Sequence, residues 1–188
     1  KERGGVVMKN FLFIIDYTII HATLRATTPI LLAAFAAVIT QQANILNVGV
    51  EGIMLVGAFV AVYVSFITGS WILAVLAAIL AGMVIAAIIG IAHLKYKGDV
   101  FAVGTTINLL ALALTRFLLQ ELLGVSGSFT PKEISAIPKI HFKIFESNPV
   151  MNSLFNNYSL FEVLTVPLIF LFWFLLYKTV WGLRTRSI

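Results

Sequence analysis

Apolar residues fill the chain in five long blocks, at about residues 19–40, 53–68, 71–94, 103–123 and 159–177, with polar interruptions between them. Blocks of this length approach the roughly 20 residues that a helix needs to cross a bilayer. In hydrocarbon only helices and closed barrels satisfy their own backbone hydrogen bonds. Barrel strands are about ten residues of alternating polarity, whereas these blocks are longer, predominantly apolar and do not alternate, which selects helices. The pattern predicts an all-α, polytopic membrane helix bundle with about five transmembrane helices, a single transmembrane domain over residues 1–188. Pro29 sits inside the first block and predicts a bend, because proline removes a helical hydrogen bond.

The interruption from Gln41 to Gly52 differs from the others, holding Asn44, Asn47, Glu51 and the glycines Gly49 and Gly52. Asn47 and Glu51 are four apart and share a face of any helical turn. An ionisable group at membrane depth is costly and belongs beside a polar cavity or a partner helix. On this reading the segment is one broken helix, and Asn44, Asn47 and Glu51 belong to a translocation path. The alternative is a connection in water, with Glu51 an ordinary carboxylate at a helix start. Asn108, deep in the fourth block, joins the path residues. Arg116, near Thr115 in the same block, either contacts substrate or snorkels to the interface beside Glu121.

Composition agrees with the pattern: 60% of residues are hydrophobic, 11% are charged, and the mean hydropathy is +1.01. A soluble domain carries about a quarter charged residues. The net charge of +5 does not mark a nucleic-acid surface, because the Lys and Arg residues gather at block ends. With no cysteine, disulfides, thiolate metal sites and cysteine nucleophiles are excluded. The first apolar stretch carries Asp16, His21 and Arg25 and has no small-residue cleavage site, unlike a signal peptide. Met8, after the polar Lys1 to Val7, is a reasonable initiator.

Charge also predicts orientation. Lys95, Lys97, Lys178, Arg184 and Arg186 fall on the side that holds the Gln41–Gly52 interruption. Counted from Met8 onward, which leaves out Lys1 and Arg3, the other side has Lys9, Lys132, Lys139 and Lys143, spread over more residues and diluted by Glu133 and Glu146. The first side is expected to be cytoplasmic. In the third block Ala74, Ala78, Gly82, Ala86 and Gly90 recur every four residues. Such a stripe predicts close helix packing, although frequent Ala and Gly in a membrane helix would also produce it.

Catalytic chemistry is not indicated. Gly98 to Thr106 has glycines and threonines but lacks the lysine of a phosphate-binding loop, so any ATP is used by a partner subunit. Gly124-Val125-Ser126-Gly127 has the form around an intramembrane protease serine, but the nearest later histidine, His141, is in the same polar stretch. His21, His93 and His141 lack ligand spacing, and no metal or other cofactor is expected in this chain.

Thr28-Pro29-Ile30-Leu31-Leu32-Ala33-Ala34 and the run from Asn44 to Phe59 resemble the opening of the ABC permeases that serve ribose-like sugars, nucleosides and branched-chain amino acids. Thr105 to Leu112 is similar to a second stretch of that family, and Gly182-Leu183-Arg184-Thr185-Arg186 to the start of its ATPase-coupling segment. The Leu-Asn-x-Gly-x-Glu-Gly-x-Met form is closest to the nucleoside-type branch. The sugar branch has Asp-Leu-Ser-x-Gly here, and the amino-acid branch a His-Gly pair. The resemblance covers nearly the whole chain. It implies the N-terminal part of a multi-pass permease of the bacterial plasma membrane, stopping just inside the coupling segment. It further implies a second permease subunit, a cytoplasmic ABC ATPase and an external substrate-binding lipoprotein, with lipid around the helices and no nucleic acid. Gly182 is expected to allow the turn onto the membrane surface, and Arg184 and Arg186 to face the ATPase; a plain positive-inside flank is the alternative. From another class, half of an ion-coupled secondary transporter or channel would share the broken helix. A membrane enzyme would need an acid–base or metal constellation that the blocks lack.

Overall fold

A computed structural model describes residues 17–42, 45–127, 129, 134, 135, 137–140 and 158–186 of the chain. Its elements are α1 (Tyr17–Gln42), α2 (Val50–Thr68), α3 (Trp71–Leu94), α4 (Val100–Leu123), the antiparallel pair β1 (Lys139–Ile140) and β2 (Tyr158–Ser159), α5 (Leu160–Lys178) and α6 (Val180–Arg186). Among the described residues five helices are long and apolar enough to cross a membrane: α1 from Ala22 onward, and α2 to α5. Pro29 lies within α1, which is helical on both sides of it. The apolar blocks locate all five helices, while polar capping side chains set the starts of α4 and α5. Thus α4 begins at Val100, because the Asp99 carboxylate accepts the Ala102 N–H at 2.8 Å.

The chain divides into two compact units, residues 36–136 with 184–188, and residues 1–35 with 137–183. In the first, α2 lies along α3 and also packs on α4. Gly69 and Ser70 reverse the chain between α2 and α3; Gly69 adopts the left-handed conformation (φ 63°) and its N–H bonds the Ser65 carbonyl at 2.9 Å. The turn from α3 to α4 is closed by Gly98, whose N–H bonds the Ala92 carbonyl and whose carbonyl lies 2.9 Å from His93 Nδ1. Beyond α4, Ser135 accepts the Ser65 hydroxyl at 3.3 Å, and Phe129 meets Phe66 edge to face at 5.3 Å.

The second unit sets the first part of α1 beside α5. Phe35 stacks on Phe172 with ring centroids 4.8 Å apart, and Arg25 Nε lies 3.9 Å from Glu162 Oε1. A capping box starts α5: Ser159 Oγ accepts the Glu162 N–H, and Glu162 Oε2 accepts the Ser159 N–H at 2.8 Å. Much of the outward surface of the helices is apolar. Ile79, Leu80, Met83 and Val84 on α3 are all more than half exposed, a surface that suits lipid and would be a liability in water.

Candidate functional site at the polar break

The polar interruption joins two complete helices, each long enough to span, rather than dividing one helix into halves. Its local geometry follows from its residues. The chain leaves α1 through an Ile45 N–H bond to the Thr40 carbonyl at 3.0 Å. Asn47 Oδ1 then accepts the Gly49 N–H at 3.1 Å, a side-chain turn typical of asparagine. Helix α2 starts when the Ile53 N–H bonds the Gly49 carbonyl at 3.1 Å.

The break lies below the ends of its neighbours. Helix α2 has 19 residues against 24 in each of α3 and α4, and α2 and α3 share the tight turn at their other ends. At 1.5 Å per residue, α2 therefore starts roughly 7 Å short of the end of α3. Packing agrees with this depth. A Cβ on Gly104 would fall 2.6 Å from Val48 Cβ, one on Gly49 2.5 Å from Ile89 Cδ1, and one on Gly52 2.9 Å from Asn108 Oδ1. Gly49 and Gly104 thus let non-helical backbone sit against α3 and α4, and Gly52 lets the first turn of α2 sit against α4. Such backbone is tolerated at membrane depth only where protein covers it or a polar cavity adjoins it.

Buried backbone groups need partners, and the first N–H groups of a helix have none of their own. Asn108 on α4 supplies them: its Oδ1 accepts the Gly52 N–H at 2.7 Å, and its Nδ2 donates to the Val48 carbonyl at 3.0 Å. Gly52 is the third residue of α2, the position that a helix's own N-cap side chain would bond. Gly49, at the N-cap, has no side chain to do so. Glu51 lies in the first turn of α2, where its carboxylate is exposed and forms no ion pair among the described residues. Three of the four path residues expected from the sequence therefore cluster here; Asn44 lies outside the described residues.

Along α3, Ala74 is buried, Gly57 of α2 stacks over the Ala78 carbonyl, and Gly82 faces Ile53. A Cβ on Gly82 would find Ile53 Cγ2 at 3.5 Å, an ordinary contact; Ala86 is exposed, and a Cβ on Gly90 would meet nothing within 4 Å among the described residues. The tightest glycine contacts around α2 are at the break instead. On α4 the sequence points to Asn108 but not to Gly104, although Gly104, Asn108, Ala111 and Thr115 repeat at helical spacing as small or polar residues in an apolar block. Arg116 is exposed and lines, with Thr115, Gln120, Ser126 and the apolar Leu55 and Leu112, an open depression of about 570 Å³. His21 and Trp181 have no described side chain, and His141 lies outside the described residues.

At the C-terminal end one expectation is corrected. The turn after α5 is made by Thr179, with extended φ −110° and ψ 156°, and not by Gly182. Gly182 lies inside α6 with no unusual backbone angle, and is buried. What it provides is space: a Cβ there would collide with the Leu175 and Leu176 carbonyl oxygens. Leu183 and Arg184 are exposed, while the Arg186 side chain is outside the described set.

Residues 19–188 match the family described as the permease component of branched-chain amino acid transport systems. The chain belongs to this permease family. It is 31% identical to the guanosine ABC transporter permease protein NupQ of Bacillus subtilis, over 90% of this chain and 55% of that protein. It is 30% identical to the nucleoside ABC transporter permease protein NupC of Lactococcus lactis subsp. cremoris, over 86% of this chain and 52% of the relative. A putative glucose ABC transporter permease protein of Haloferax volcanii is 29% identical, over 90% of the chain and 51% of the relative. The chain thus spans about half the length of these curated relatives. No solved structure matches it significantly. Membership of this permease family, with five apolar helices, agrees with the polytopic helical permease expected from the sequence.

Proposed function

We propose that this chain forms part of the membrane-spanning permease of an ATP-driven importer of nucleosides. Similarity over 90% of the chain to a guanosine permease carries the reading. The glucose-permease relative makes related sugars the next substrate class. A second permease subunit completes the pathway, a cytoplasmic ABC ATPase uses the ATP, and an external lipoprotein delivers substrate. The chain itself holds no cofactor. It lies in the bacterial plasma membrane, with the break, the Lys95–Asp99 turn and α6 toward the cytoplasm, following the excess of basic residues there. Asn47 and Glu51 sit beside the path, where the first turn of α2 directs its helix dipole and an exposed carboxylate, and the sequence assigns Asn44 to the same path.

Uptake of radiolabelled guanosine, before and after deletion of the gene for the complete protein, tests this. Uptake should fall on deletion, return with a plasmid copy, and be competed by nucleosides but not by glucose. Unchanged nucleoside uptake with lost glucose uptake would assign the sugar class instead. Uptake that follows an ion gradient and ignores ATP depletion would mark an ion-coupled carrier.

A further inference from the structure

We infer that Asn108 is a positioning residue: it fastens residues 45–52 to α4, so that the break and α4 move as one body during transport. The assignment rests on the transport reading above and gives Asn108 a role other than lining the path. Both ends of its carboxamide are committed to backbone, to Gly52 at 2.7 Å and Val48 at 3.0 Å. A break that flexed during the cycle would have to part both of these part-buried bonds at once, and a carbonyl and an N–H would lose their partner together. Packing resists the same motion, because Gly104 touches Val48 and Gly49, and Ile89 closes over Gly49. The joint therefore stays closed, and the conformational change takes place elsewhere.

The chemistry of the joint is specific. It needs one donor and one acceptor on a single short planar group. Leucine offers neither. A carboxylate accepts but cannot donate, whereas a protonated carboxyl group does both. Asn108→Asp should therefore restore the joint when the introduced group is protonated and open it when ionised. Other ionisable side chains on this unit are Glu51 and Tyr63 on α2, His93 on α3, Lys95, Tyr96 and Lys97 in the turn, Asp99, Arg116 and Glu121 at or on α4, and Arg184 and Arg186 on α6, with Lys132 and Glu133 outside the described residues. All are present in the parent, whose own pH profile removes their contribution.

The experiment uses the full-length permease in its complete complex, reconstituted in liposomes, with Leu46→Cys as a reporter in the exposed part of the break. Thiol-labelling rate and ATP-driven guanosine uptake are both measured relative to the parent at each pH. Asn108→Leu should label several-fold faster and transport about tenfold more slowly or worse, the scale of losing two part-buried hydrogen bonds. Asn108→Asp should resemble it at neutral pH, return toward the parent in both readouts when the same vesicles are acidified, and reverse when neutrality is restored. Irreversible misfolding would not recover in this way. Parent-like labelling and uptake in Asn108→Leu, or a ratio for Asn108→Asp that ignores pH, would overturn the assignment. If labelling follows the expected pattern but the parent itself takes up no nucleoside, the joint stands and the transport reading falls.

Discussion

Asn108 caps Gly52 from 56 residues away in sequence, accepting its N–H at 2.7 Å. The start of α2 is consequently specified by another helix, because Gly49 at its N-cap has no side chain to offer. The same amide holds the Val48 carbonyl, so the last residues of the break and the first turn of α2 share one anchor on α4.

Glycines around this anchor should differ sharply in their tolerance of a methyl group. At Gly104 a Cβ would lie 2.6 Å from Val48 Cβ and 3.0 Å from the Gly49 nitrogen, both fixed by backbone. Gly104→Ala is expected to cost about 1–3 kcal/mol through overpacking. At Gly90 a Cβ meets nothing within 4 Å among the described residues. Gly90→Ala should be neutral or gain up to about 1 kcal/mol from helix propensity. Thermal unfolding of the two purified variants checks the contrast; equal midpoints would remove the close approach at Gly104.

Much of this was legible in the sequence, because hydrophobic length decides membrane helices almost alone. The third block and α3 have the same bounds, Trp71 to Leu94. Helix starts were less visible, since they depend on single polar side chains such as Asp99 and Ser159. The break stood out through Asn47, Glu51 and its glycines, which are costly in lipid. Asn108 stood out by its depth in an apolar block, but its bond to the break was not readable, because a side chain bonding backbone 56 residues away leaves no local pattern. The small-residue stripe on α3 marked a periodicity without showing where neighbours approach, and Gly82 and Gly90 accordingly have different surroundings.

The start of α5 carries a pH-dependent contribution. Burial first, and then the nearby Glu162 carboxylate, raise the Tyr158 phenol above its ordinary 10.0. The folded form thus keeps its proton after the unfolded chain has lost it. Stability from this group is fully present below about pH 10 and falls as pH rises toward the folded-state value. Tyr158→Phe should flatten that alkaline slope in unfolding curves. Ser159→Ala, which removes one arm of the capping box, should lower stability by about 1 kcal/mol in the neutral range as well.

Orientation is open to direct chemistry. Cysteines introduced singly as Lys97→Cys and Ser135→Cys, in a chain with no cysteine of its own, should react from opposite sides of intact cells. A membrane-impermeant maleimide is expected to reach Ser135→Cys from outside and Lys97→Cys only in inverted vesicles. Labelling of Lys97→Cys from outside would invert the topology and move the break away from the ATPase.

The same topology bears on α6, where two effects should separate. Gly182 lies against the last carbonyls of α5, so Gly182→Ala should push α6 out of place without changing any charge. Arg184→Glu with Arg186→Glu reverses charge while leaving that packing intact. If α6 docks on an ATPase, both changes should uncouple ATP hydrolysis from uptake in the reconstituted full-length complex, by roughly tenfold or more for lost charged contacts. Binding of the external lipoprotein should be unaffected, because it engages the opposite side. A basic flank that only sets topology makes a different demand: Gly182→Ala would then transport normally, and the double reversal would alter membrane orientation. Measuring orientation alongside the ratio of ATP hydrolysed to substrate imported therefore separates docking from topology. Transport at the parent rate in correctly inserted protein of both variants would leave α6 without a coupling role.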